Sequence, residues 1–193
     1  GYAVNKLFVI NNGYDLSLFN RDNSTSAQIR RELNIGSNVP LMGLVGRFDP
    51  LKDHQNLLLG LAAVRNQILN FKCCLVGLGM NIKNDVLIKW IEQNNLSDNI
   101  ILLDQRSDVP SIMNALDMHI LSSSSEAFPN VLCEAMACGT PCVTTDVGDA
   151  KLIIGGTGLV VPSKDPKALS EAILEGLNEF QNDKTSWYSR QER

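Results

Sequence analysis

The chain has 193 residues, 44% of them hydrophobic and 20% charged, and a formal net charge of −4. That length suits one domain or one lobe of a larger protein, and the composition is that of a water-soluble globular chain. The acidic balance argues against a nucleic-acid surface, which needs a broad basic face, while leaving room for a small basic pocket that holds one pyrophosphate.

Residues 1–39 read as a lead-in from another lobe, packed on the domain that follows. Within it, Leu7 to Ile10 suggest one short strand closed by Asn11-Asn12-Gly13, and a helix is expected from about Thr25 to Leu33. From residue 40 to about 181 the alternation becomes regular. Apolar strands are expected at Leu41 to Gly46, Phe71 to Val76, Ile100 to Leu103, Met118 to Leu121, Cys142 to Thr145 and Gly158 to Val161. Between them come helices at about Asp53 to Asn70, Asn84 to Asn95, Val109 to Ala115 and Asn130 to Cys138, with a long amphipathic one from about Pro166 to Phe180. Short unbroken apolar strands alternating with amphipathic helices indicate an α/β fold, a doubly wound Rossmann-like parallel sheet covered on both faces. Residues 182–193 read as a polar tail carrying Trp187 and Tyr188, either frayed or seeking a surface that this chain does not supply.

No stretch approaches the ~20 apolar residues of a membrane span, and the first residues carry no signal-peptide pattern. The five cysteines form no Cys-x-x-Cys pair. Buried free thiols in a reducing, cytoplasmic setting are the expectation, with Cys73 and Cys74 pointing to opposite faces of one strand.

Ligands of such sheets bind beyond the carboxyl ends of the strands. Four loops fall on that edge: Gly46 to Lys52, Gly77 to Gly79, Asp104 to Asp108, and the serine run Ser122 to Ser125 with Glu126. Arg47 and Lys52 can converge on one anion, the first with a planar fork and the second with a compact charge. The start of the helix at Asn130 adds backbone N–H donors and the positive end of a dipole. Glu126 falls in the loop, whereas Glu134 falls a turn inside the helix among apolar neighbours, where a carboxylate holding two adjacent sugar hydroxyls would explain it. Gly77-x-Gly79 lacks the third glycine of a dinucleotide fingerprint, because Ile82 stands there. His54 and His119 have no triad or zinc context and are expected to be structural.

Val45-Gly46-Arg47-Phe48-Asp49-Pro50-Leu51-Lys52-Asp53-His54 resembles the phosphate loop of retaining glycosyltransferases of family 4, of GT-B architecture. Glu126-Ala127-Phe128-Pro129-Asn130-Val131-Leu132-Cys133-Glu134 resembles their Glu-x7-Glu motif, which Gly139-Thr140-Pro141 continues. Val9-Ile10-Asn11-Asn12-Gly13-Tyr14-Asp15 is similar to the stretch at the junction of their two lobes. The resemblance covers nearly the whole chain. Leu78 departs from it at a position where an acidic residue is frequent.

The resemblance implies the C-terminal, donor-binding lobe of an enzyme that moves a sugar from a nucleoside-diphosphate sugar, UDP favoured, to a glycan or lipid-linked acceptor. Arg47 and Lys52 would bind the pyrophosphate and stabilise the leaving diphosphate, and Glu134 would hold the ribose. Glu126 would contact the transferred sugar, and the backbone of Phe128, Pro129, Asn130, Val131 and Leu132 would cradle sugar and phosphate. The loop at Gln105 and Arg106 would meet the base through backbone atoms. No cofactor is implied, and no metal, in keeping with the absence of an Asp-x-Asp sequence. The partner would be an N-terminal acceptor lobe of the same protein, through which the whole could sit at the inner face of a membrane, and the donor lobe alone would not turn over. A nucleotide-sugar epimerase lobe and a non-catalytic nucleotide-sugar-binding module are the alternatives.

Overall fold

A computed structural model describes residues 12–190 of the chain. The strand expected at Leu7 to Ile10 lies outside the described residues. Six strands, β1 (Leu41–Val45), β2 (Lys72–Val76), β3 (Ile100–Asp104), β4 (Met118–Leu121), β5 (Cys142–Thr145) and β6 (Leu159–Val161), form one sheet in the order β3-β2-β1-β4-β5-β6. Every adjacent pair is parallel. The order reverses between β1 and β4, so the crevice of a doubly wound sheet opens at their carboxyl ends.

Among the described residues eight helices cover the faces: α1 (Asn23–Glu32), α2 (His54–Arg65), α3 (Asp85–Gln93), α4 (Val109–Ala115), α5 (Asn130–Ala137), α6 (Ala150–Ile154), α7 (Pro166–Asn182) and α8 (Lys184–Ser189). Alternate strand residues feed two cores. Met42, Leu44, Cys73, Leu75, Met118 and Ile120 meet α2, α3, α7 and α8 on one face. Leu41, Cys74, Val76, Leu121 and Cys142 meet α1, α4, α5 and α6 on the other. Cys73 and Cys74 do point apart, and all five cysteines are free thiols.

The structure differs from the sequence expectation in three places. The helix expected to reach Asn70 stops at Arg65. The chain must turn there to enter β2, and buried Asn99 pins the turn by donating to the carbonyls of Leu69 and Phe71 at 3.1 and 3.0 Å. A 3-10 turn, Pro50–Lys52, and the short α6 were not foreseen, because each is too brief to show a period. The polar tail is the third correction. From Lys184 to Ser189 it folds as α8, with Trp187 fully buried in the α2–α7 core. The Trp187 indole donates to the Asp117 carbonyl at 2.8 Å, and the Tyr188 hydroxyl donates to Asp117 Oδ1 at 2.8 Å. The aromatic pair therefore finds its surface within this chain, at the amino end of β4.

Of the lead-in, the described part lies on α4. Asp22 caps α1 and its N–H donates to Asn114 Oδ1 at 2.7 Å, while Arg30 pairs with the buried carboxylate of Asp117. Among the described residues no helix is long and apolar enough to cross a membrane.

Candidate functional site

The carboxyl edge is assembled by close backbone contacts. The Gly46 N–H donates to the Val76 carbonyl and the Phe48 N–H to the Leu78 carbonyl, each at 2.8 Å. Gly77 lies at φ +139, and a Cβ there would stand 2.2 Å from the Gly46 carbonyl oxygen. Only glycine lets the loops after β1 and β2 touch.

The serine run is a fastener. Ser122 Oγ donates to the Lys52 carbonyl at 2.9 Å, and the Ser124 N–H to the Leu51 carbonyl at 2.8 Å. Ser123 Oγ donates to Glu126 Oε1 at 2.7 Å, and Thr145 Oγ1 to the Ser123 carbonyl at 2.7 Å. These bonds seat the Pro50–Lys52 turn against the loop after β4, across the switch point. From beneath, Gly148 at φ +52 presses against that loop so closely that a Cβ would stand 2.4 Å from the carbonyl oxygens of both Glu126 and Ala127.

Lys52 and Glu126 are thereby brought together, with Nζ 2.6 Å from Oε1 and side chains 21% and 14% exposed. Arg47 stands apart from this pair. Its side chain is 67% exposed and, among the described residues, bonds only Asp49 two positions on, Nε to Oδ2, at 3.1 Å. The Leu51 N–H and the Arg47 guanidinium hold the Asp49 carboxyl below its usual range. A cavity of about 220 Å³ on the outer side of the turn shares Asp49 with it and is walled by Phe48, His54 and Trp90; no cation lines it.

Pro129 precedes α5 and offers no side-chain hydrogen bond to its first turn, so the leading N–H groups of that helix are not capped by a side chain. Phe128 is half-buried and Pro129 buried beside this start, while Leu132 and Val131 pack into the core beneath it. Asn130, the first residue of α5, is exposed; its Oδ1 accepts from both Asn12 Nδ2 and the Tyr14 hydroxyl at 2.8 Å. One turn on, Glu134 is half-buried and its carboxylate accepts no hydrogen bond from a described residue; burial raises its carboxyl pKa.

At the far end of the edge Gln105 is exposed, but the Arg106 side chain does not join Arg47 and Lys52. Its guanidinium meets Glu32 Oε1 at 2.6 Å and Asp108 Oδ2 at 2.8 Å, tying α1 to the loop after β3. Any contact of this loop with a base falls to its backbone and to Gln105. His54 stacks on Phe48 with ring centroids 5.1 Å apart, and burial pushes its pKa down to about 4. His119 is wholly buried in β4, and burial lowers it to about 3. Both imidazoles are neutral structural groups.

Sequence reading missed the roles of Ser122, Ser123, Asn12, Tyr14 and Gly148. The serines were visible only as a polar run, and Asn12 and Tyr14 lie more than a hundred positions from the residue they bond.

A doubly wound parallel sheet with Lys52, Arg47 and the start of α5 on the edge at its switch point defines an α/β Rossmann-like domain. Residues 25–190 match the family of glycosyl transferases group 1, and the chain belongs to that family. It is 30% identical over 183 residues to the D-inositol 3-phosphate glycosyltransferase of Corynebacterium glutamicum, covering 90% of this chain and 44% of that protein. It is 29% identical to the UDP-Gal:alpha-D-GlcNAc-diphosphoundecaprenol alpha-1,3-galactosyltransferase of Escherichia coli, covering 88% of this chain and 44% of that one. Among solved structures, HepE of Anabaena in complex with UDP-glucose superposes with a TM-score of 0.82 at 26% identity, over 96% of this chain and 51% of that one. The sheet thus matches the C-terminal domains of GT-B glycosyltransferases. The chain spans less than half the length of these curated relatives.

Proposed function

We propose that this chain is the donor-binding lobe of a retaining glycosyltransferase that uses a UDP-sugar, and that transfer to a glycan or lipid-linked acceptor needs a second, N-terminal lobe. The observation that carries the reading is the 2.6 Å Lys52–Glu126 pair at the switch point of the sheet, in the loop that leads into α5, whose N-cap Pro129 supplies no side-chain bond. HepE, which shares this fold and 26% of its sequence, is described in complex with UDP-glucose, which favours uridine as the base.

The residues divide the work by charge. Arg47 and Lys52 take the pyrophosphate together with the first N–H groups of α5, and Glu134 takes the ribose hydroxyls. Glu126 takes hydroxyls of the sugar. As the glycosyl bond breaks, negative charge gathers on the departing diphosphate, and cations held against it lower the barrier. Lys52 stands at the switch point already, while Arg47 must leave Asp49 to join it. In this reading they do so without a metal ion. Calorimetric titration of the chain with UDP, GDP and their glucose conjugates tests it. UDP and UDP-glucose should bind, GDP more weakly, and Arg47→Ala should weaken binding about tenfold, as expected for a charge-assisted contact. Binding that ignores both Arg47→Ala and Lys52→Ala would remove the reading, and transfer to an acceptor sugar by this chain alone would remove the need for a second lobe.

A further inference from the structure

We propose that Asn12 and Tyr14 are positioning residues of the donor site: they clasp the side-chain amide of Asn130 so that its Nδ2 end is presented to oxygens of the bound nucleotide sugar. The inference rests on the reading of this edge as a donor site. Its own ground is the double hydrogen bond onto one atom. Asn130 Oδ1 accepts from Asn12 Nδ2 and from the Tyr14 hydroxyl, both at 2.8 Å. An amide oxygen has two lone pairs, so this acceptor is filled. The Nδ2 end makes no hydrogen bond to a described residue, and the residue is exposed at the first position of α5.

An asparagine amide can turn over with little change in shape, exchanging acceptor for donors. Turned over, Asn130 would set its NH2 group against the Asn12 NH2, and only the Tyr14 oxygen could accept from it. Tyr14 keeps its proton for this bond, because partial burial and the nearby Cys133 and Glu134 raise its pKa. The two donated bonds therefore favour one orientation, the one that leaves the Nδ2 donors of Asn130 free of Asn12 and Tyr14. At the uncapped start of α5 those donors extend the row of backbone N–H groups by one side chain, and they suit a phosphoryl or sugar oxygen. The same clasp ties the segment ahead of α1 to the start of α5, one turn before Glu134.

Tyr14→Phe keeps the ring and removes the donor. Titration of the chain should show UDP and UDP-glucose weakened about fivefold, the worth of one neutral hydrogen bond. In an Asn130→Ala background the same change should cost nothing further. Relaxation of the Asn130 side-chain amide by ¹⁵N NMR should show it more mobile in Tyr14→Phe, with the backbone amides of α5 unmoved. Equal losses in both backgrounds, an unchanged affinity, or an amide as rigid as before would overturn the inference. Wild-type protein that binds neither ligand would bring down the donor-lobe reading itself, and this one with it.

Discussion

Lys52 Nζ lies 2.6 Å from Glu126 Oε1, so the less exposed of the two edge cations and the carboxylate assigned to the sugar neutralise each other before a ligand arrives. A pyrophosphate must share Lys52 with Glu126. A hydroxyl of the transferred sugar that donates to Glu126 compensates for that sharing, and bare UDP lacks that sugar.

Glu126→Gln should therefore separate the two ligands. The glutamine can still accept from Ser123 but no longer competes for Lys52, so UDP should bind about fivefold tighter, in line with a partly exposed ion pair. UDP-glucose should gain less or lose, because the acceptor for its hydroxyls is weaker. The ratio of the two affinities by calorimetry is the readout, and an unchanged ratio removes Glu126 from the sugar contact.

Glu134 is held half-buried without a donor, and burial raises its pKa. The sign follows from linkage: the folded protein holds this proton more tightly than the unfolded chain, so ionisation at neutral pH opposes folding and protonation in acid removes the penalty. Glu134→Gln should melt higher than wild type at pH 7, with the advantage shrinking as pH falls through the carboxyl range. It should also bind UDP more weakly. A variant both more stable and undiminished in affinity would leave Glu134 without a role in holding ribose.

His54 and His119 give the opposite acid dependence. Their folded pKa values, about 4 and about 3, lie below the ordinary 6.5, so the unfolded chain takes up protons first as pH falls. Their stabilisation is whole above pH 6.5 and lost on the way down, by roughly 2 kcal/mol per histidine at pH 5. Urea midpoints at pH 7.5 and pH 5 should converge in His119→Val relative to wild type. Parallel shifts in the two proteins would mean that His119 is not buried in the neutral form.

Trp187→Ala should cost about 3–5 kcal/mol, the range for emptying an aromatic site in a core. Trp187→Phe should cost less, losing the indole bond to the Asp117 carbonyl but keeping most of the contact. Urea unfolding measures both, and a loss under 1 kcal/mol for the alanine variant would put α8 outside the cooperative unit.

The sheet and its edge were readable because apolar runs repeat at regular intervals and loops at strand ends follow a geometric rule. Lys52 and Glu126 could be assigned to one site on that basis. Arg106 could not be judged the same way: an arginine in an edge loop looks available until Glu32, 74 positions earlier, is seen to hold it. The tail misled for a related reason. Lys184 to Ser189 is polar in composition, and one fully buried tryptophan carries too little pattern to show which way it faces. The clasp on Asn130 is invisible in sequence because neither Asn12 nor Tyr14 sits in a periodic element.

Asp117 accepts from the Leu41 N–H, the Trp187 indole and the Tyr188 hydroxyl, and it pairs with Arg30. It lies at the amino ends of β1 and β4, whereas Lys52, Glu126 and the start of α5 lie at the carboxyl ends. One residue thus knots the first described helix and the last to the sheet on the side away from the ligand. Loops at the carboxyl edge can then be exchanged or lengthened without untying what closes the chain on itself, and under the proposed donor-lobe reading that makes this lobe a chassis for grafting donor preference from one sequence to another.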